Sequence, residues 1–233
     1  MLVVGSGVGV VIVEGSYGGD MNNRPSSGTV QLIVAATGSS LTSTAVTCTP
    51  SSLEAGGLGT CTTKVTGSNP TGTVFWSQVG SGTVTFGASS CTLSLGSCSM
   101  SATGSGVGAV SVKASYGGDA NNGVSSGTAS LTVTKSLTVT GVSCTPVSVL
   151  VGGTSTCTVT VLGFNPTGIV SWSQTTINHG AVTFSSSTCT LTAGSCSVTA
   201  NGAANGALVV QASYGGDSNN QVSSGTTTLT VKP

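Results

Sequence analysis

Along most of the chain, apolar residues alternate with Ser or Thr in short runs. Examples are Cys61-Thr62-Thr63-Lys64-Val65, Val110-Ser111-Val112-Lys113-Ala114 and Ala129-Ser130-Leu131-Thr132-Val133. A period of two describes strands with one buried face and one polar face. Gly, Asn and Pro punctuate the runs, as in Gly56-Gly57, Asn69-Pro70 and Asn165-Pro166, and these residues mark turns. From residue 37 onward the alternation predicts seven strands and then repeats them. In the first set, parity places Val46 with Cys48, Cys61 with Val65, Val74 with Trp76, Val84 with Phe86, and Val110 with Val112, Ala114 and Tyr116 on inward faces. Seven short alternating strands fit a two-sheet sandwich.

The motif Tyr-Gly-Gly-Asp occurs three times, at Tyr17–Asp20, Tyr116–Asp119 and Tyr214–Asp217, at spacings of 99 and 98 residues. Each copy follows an apolar run and precedes an Asn-Asn pair, a Ser-Ser-Gly-Thr and a final alternating strand. A period this long indicates tandem whole domains rather than solenoid units. The predicted units are 1–36, 37–134 and 135–233, the first holding only the last two strands of a sandwich. Its apolar start, Met1 to Val13, has the look of a signal-peptide core, but Val8–Tyr17 aligns with Val107–Tyr116, which favours a strand. A two-stranded ribbon with an apolar side is marginal alone. The expectation is that the sequence is a section of a longer chain or that a neighbour completes the ribbon. Residues 37–45 form a short junction with no Pro-rich or charged linker.

Cysteine follows the same repeat. Cys48 and Cys61, then Cys91 and Cys98, recur as Cys144 and Cys157, then Cys189 and Cys196, with none left over among eight. That arithmetic predicts disulfides in an oxidising, extracellular compartment. The expected pairs are Cys48–Cys61, Cys91–Cys98, Cys144–Cys157 and Cys189–Cys196, the alternative joining Cys61 to Cys98. Charge is scarce, with five Lys plus Arg against five Asp plus Glu and a net charge of zero. There is no basic field to hold nucleic acid, and little repulsion to keep copies apart. The polar positions fall instead to 39 Ser and 38 Thr. No Asn begins an acceptor triplet for N-glycosylation, so any glycan would be O-linked to Ser or Thr.

Trp76 and Trp172, with Tyr17, Tyr116 and Tyr214, are the expected aromatic core markers. Phe75 has the opposite parity to Trp76, and its counterpart is Ser171. Phe75, with Val10 and Ile12, is therefore a candidate subunit contact. The one histidine, His179, sits in a predicted loop and has no repeat equivalent, so a repeated acid-base or zinc site has no donor. Asp119 with Asn121, and Asp217 with Asn219, are weak candidates for calcium, which wants six to eight oxygens, several of them charged. Capping of loop amides by the Asp is the simpler use. No cofactor, catalytic residue or membrane-spanning segment is expected.

Pro70-Thr71-Gly72-Thr73-Val74 early in the unit, Tyr116-Gly117-Gly118-Asp119 near its end and a closing Leu131-Thr132-Val133 resemble the tandem immunoglobulin-like (Big-type) repeats of bacterial and archaeal surface proteins. The resemblance implies serial sandwiches acting as an extracellular spacer, stalk or adhesin without catalysis. The local cysteine pairs are an addition to the commoner pattern of that family. Tandem domains, low charge and an uncovered leading ribbon together predict a section of a self-associating filament at the cell surface, polymerising with copies of itself. The alternative is the spacer stalk of an adhesin whose binding domain lies elsewhere.

Overall fold

The computed structural model describes residues 9–34 and 38–233, without the side chains of Gly9, Val10, Ile33 and Val34. Its described residues are all-β, and the alternating runs become strands. A leading hairpin consists of β1 (Gly9–Tyr17) and β2 (Ser26–Val34), antiparallel in the register Val11↔Leu32 and Val13↔Val30. The first sandwich then follows as β3 (Ser43–Thr49), β4 (Ser52–Glu54), β5 (Leu58–Thr66), β6 (Thr73–Gly80), β7 (Thr83–Phe86), β8 (Ser90–Thr92), β9 (Ser97–Gly106), β10 (Gly108–Tyr116) and β11 (Ser125–Thr134). One sheet has the order β4-β11-β10-β6-β8 and the other β3-β5-β9-β7.

The second sandwich repeats this plan with β12 (Val139–Thr145), β13 (Ser148–Leu150), β14 (Thr154–Leu162), β15 (Ile169–Thr176), β16 (Ala181–Phe184), β17 (Thr188–Thr190), β18 (Ser195–Ala204), β19 (Gly206–Tyr214) and β20 (Ser223–Lys232). Its sheets run β13-β20-β19-β15-β17 and β12-β14-β18-β16. Each sandwich thus holds the seven expected strands plus two of three residues each, β4 with β8 and β13 with β17. Pro50 has no N–H for a ladder, so β3 stops there. The next residues cross to the other sheet, where β4 lies parallel to β11 with Leu53 opposite Val133.

Parity carries the cores. Val74, Val112, Ala114, Leu131 and Val133 in the first sandwich, and Val170, Val210, Ala212, Leu229 and Val231 in the second, are sealed from water. Each such Val or Leu contributes about 1.5–3 kcal/mol by leaving water. Trp76 and Trp172 are buried and tilt against Phe86 and Phe184 at centroid distances of 6.3 and 6.1 Å. Two devices tie one sheet to the other. The Gln78 amide brackets Val84 of the facing sheet, Oε1 accepting its N–H at 2.8 Å and Nε2 donating to its carbonyl at 2.6 Å, and Gln174 does the same to Val182. The second device is a cystine: Cys91 on β8 is bonded to Cys98 on β9, and Cys189 on β17 to Cys196 on β18.

The other cystines lie within a sheet. Cys48 stands directly opposite Cys61 in the β3–β5 register, with Cα atoms 4.0 Å apart, and Cys144 opposite Cys157 in β12–β14 likewise. Cys61 faces Met100 across the ladder to β9, while Cys98 faces Thr63. Cys61 and Cys98 are therefore offset by two positions.

One core marker departs from expectation. Tyr116 and Tyr214 are 2% exposed, but Tyr17 is 46% exposed. Val11, Val30 and Leu32, the counterparts of buried Val110, partly buried Ala129 and buried Leu131, are uncovered in the same way. The cause is the partner sheet. Strands β3, β5, β9 and β7 cover the β10–β11 hairpin, whereas among the described residues no such sheet faces β1 and β2.

Candidate functional site

The repeated Tyr-Gly-Gly-Asp motif ends β10 and β19 and builds one compact polar knot per sandwich. Gly118 turns the chain at φ +81°, a conformation that glycine adopts without cost. The Asp119 carboxylate then accepts from the Thr71 N–H at 2.8 Å, the Thr71 hydroxyl at 3.0 Å, the Asn121 N–H at 2.8 Å, the Asn122 amide at 2.9 Å and the Tyr116 hydroxyl at 2.9 Å. Asn122, itself 2% exposed, reaches across to the turn between β5 and β6. Its Oδ1 accepts the Ser68 N–H at 2.8 Å and its Nδ2 donates to the Ser68 carbonyl at 3.0 Å.

The second sandwich repeats the knot with Asp217, Tyr214, Thr167 and Asn219. There Asn220 clamps the backbone of Phe164 on both sides, at 2.8 and 2.9 Å. In the leading hairpin, Asp20 keeps its local partners Tyr17, Asn22 and Asn23. The Asp was legible from sequence as a cap. The second Asn of the repeated Asp-x-Asn-Asn cluster is visible in the sequence only as a weak calcium candidate, and its reach to the backbone of Ser68 or Phe164 has no signal there.

Electrostatics follow from the donors. The Thr71 N–H, ahead of the opposing effect of burial, holds the Asp119 carboxyl well below the usual carboxylate range. For Asp217, burial pushes upward but is outweighed by the N–H groups of Thr167 and Asn219 and the amide of Asn220, so the net shift is again downward. Burial, with the hydrogen bond to Asp119, pushes the Tyr116 phenol up to about 12. Each carboxylate is thus ionised, locked and surrounded by donors. Oxygen ligands for a cation would have to replace those donors. Among the described residues no three of His, Cys, Asp and Glu gather into a group that could hold a metal.

Other singled-out residues do not converge on the knot. His179 is exposed in the turn between β15 and β16, at φ 61°. Phe75 and Ile12 are 57% and 71% exposed. Val10 lies in β1, and its side chain is outside the described residues. Trp76 and Trp172 point their indole N–H groups at Cys91 and Cys189 sulfur, each at 3.1 Å, so their faces are spent inside the sandwich. No helix among the described residues is long and apolar enough to cross a membrane.

No family model matches the chain, and no curated protein matches it. Solved structures do. Invasin, described as a bacterial integrin-binding protein, is 16% identical with a TM-score of 0.55, over 81% of this chain and 39% of the invasin chain. The Yersinia pseudotuberculosis adhesin InvE is also 16% identical over 81% of this chain and 58% of its own, with a TM-score of 0.39. The Escherichia coli adhesin FdeC is 14% identical over 99% of this chain and 88% of its own, with a TM-score of 0.33. The chain therefore spans less than two thirds of the invasin and InvE chains it resembles. At these identities the likeness speaks for the fold alone: the chain is a tandem of immunoglobulin-like β-sandwiches.

Proposed function

We propose that this chain is a structural section of an extracellular surface fibre that self-associates, without catalysis. The observation that carries the reading is the leading hairpin. Its Val11, Val30 and Leu32 are 45%, 57% and 38% exposed, whereas their counterparts Val110 and Leu131 are each 2% exposed beneath a facing sheet. An apolar face built to core pattern and not covered by any of the described residues is an interaction surface, and a net charge of zero offers no repulsion against its use. Copies of the same chain are the proposed occupants. Head-to-tail contacts that do not close would produce a polymer.

The test is sedimentation velocity across a concentration series, with electron microscopy of the same samples. Wild type should form concentration-dependent filaments, and Leu32→Asp should suppress them while both sandwiches stay folded. Monomers at every concentration would overturn the self-association. The second reading, a spacer stalk, draws on the fold shared with invasin and on sandwiches joined end to end. It keeps the cell-surface placement and the non-catalytic role, and it predicts that outcome: beads on a string, unchanged by dilution.

A further inference from the structure

The joint between the two sandwiches is closed by a side chain that leaves its own domain. Phe164 sits in the turn between β14 and β15, and its ring packs against the core of the first sandwich. The Phe164 backbone is fixed by the buried Asn220 amide on both its N–H and its carbonyl, so the direction of the ring is set by the second sandwich. Its seat is the double-glycine turn of the first. A Cβ on Gly56 would lie 2.6 Å from the ring, closer than atoms approach. The floor of the seat is itself held, with the Gly56 N–H on the Gly104 carbonyl at 2.8 Å and the Gly104 N–H on Gly57 at 2.9 Å. Ala55 beside it is 3% exposed.

The same turn in the second sandwich shows the seat without a ring. Nothing lies within 4 Å of a Cβ placed on Gly152, and Val151, the counterpart of Ala55, is 50% exposed. The linker agrees. The Thr134 carbonyl accepts the Ala55 N–H at 2.8 Å, and the Ser136 N–H donates to Asn219 at 2.8 Å, so only Lys135 separates a residue anchored on one sandwich from a residue anchored on the other.

The joint ahead of the first sandwich differs in both respects. Ser68 occupies the place of Phe164, held by Asn122 in the same way but with no ring to offer. Five residues, 35–39, separate Val34 from Ser40, where two separate the equivalent Val133 from Ser136.

We infer that Phe164 is the pin of a docking surface between consecutive sandwiches, seated in the Ala55-Gly56-Gly57 turn of the domain before it. The residue at this one turn position sets whether a joint in the tandem is stiff or free. The inference concerns the single chain and does not depend on association between chains. It is tested by nitrogen-15 relaxation on dilute, uniformly labelled 1–233, where self-association does not enter. Wild type should give one rotational correlation time for both sandwiches.

Phe164→Ser recreates the Gly-Ser-Asn-Pro turn that already folds at residues 67–70, so its fold should survive. Its two sandwiches should separate in correlation time, each falling roughly twofold as the rotating body shrinks to one domain. Phe164→Tyr should keep them coupled. A second measurement, small-angle scattering of the same variants, should broaden the distance distribution for Ser only. If Phe164→Ser tumbles as wild type does, or if wild type already shows two times, the pin is overturned.

Discussion

Asn122 and Asn220 each join two turns of a sandwich through one side-chain amide. Asn122→Ala would leave the Ser68 N–H and carbonyl without their partner and take one donor from the Asp119 carboxylate. The expected cost is about 2–4 kcal/mol in urea denaturation, while the exposed neighbour Asn121→Ala should stay within about 0.5 kcal/mol. Equal effects at the two positions would contradict the clamp. The pH response follows from the shifts. Asp119 and Asp217 are depressed, so between the folded value and the unfolded one, near 3.9, the unfolded chain binds more protons. Their stabilisation is complete above about pH 5 and disappears as pH falls through the depressed folded values. Tyr116 is raised to about 12, so its contribution is complete below about pH 10 and is lost as pH climbs from there. Thermal melts should therefore plateau across the neutral range and drop on both sides, the acid limb shrinking in Asp119→Asn. Sequence made the capping Asp legible because its partners Asn121 and Asn122 are local. The reach of Asn122 to Ser68 spans 54 residues, a distance at which alternation and turn chemistry carry no signal.

At the scale of elements, parity located every strand of four or more residues, because one buried face imposes a period that survives across a whole strand. The segments β4, β8, β13 and β17 are three residues long, too short to display a period. The ring of Phe164 escaped for another reason: its target belongs to the preceding domain. The mismatch of Ser68 against Phe164 between repeats was the available clue, of the same kind that singled out Phe75 against Ser171. The inter-sheet cystines at β8 and β17 are brief loops with a specific optical consequence. The Trp76 indole rests on Cys91 sulfur, a contact that quenches emission. Replacing Cys91 and Cys98 together by Ser should raise Trp fluorescence and lower stability by about 2 kcal/mol. An unchanged spectrum would mean that the indole leaves the sulfur in solution.

For the molecule as a whole, charge and covalent clips govern behaviour. With ten charged side chains in 233 residues, any association rests on apolar burial, so it should persist from low to high sodium chloride and strengthen in sulfate. Dissociation by moderate salt would point to ion pairs and away from the hairpin face. The cystines also set how far the chain can be drawn out. Tension along a tandem enters each sandwich at its first strand and leaves at its last. When a domain gives way, the segments between Cys48 and Cys61 and between Cys91 and Cys98 stay looped, at separations of 13 and 7 residues. Those loops hold back about 60–70 Å of contour per domain at 3.3–3.6 Å per residue. A single-molecule pull should show rupture steps that lengthen by that amount once a reductant is added, so that the redox state of its surroundings meters the slack in the strand.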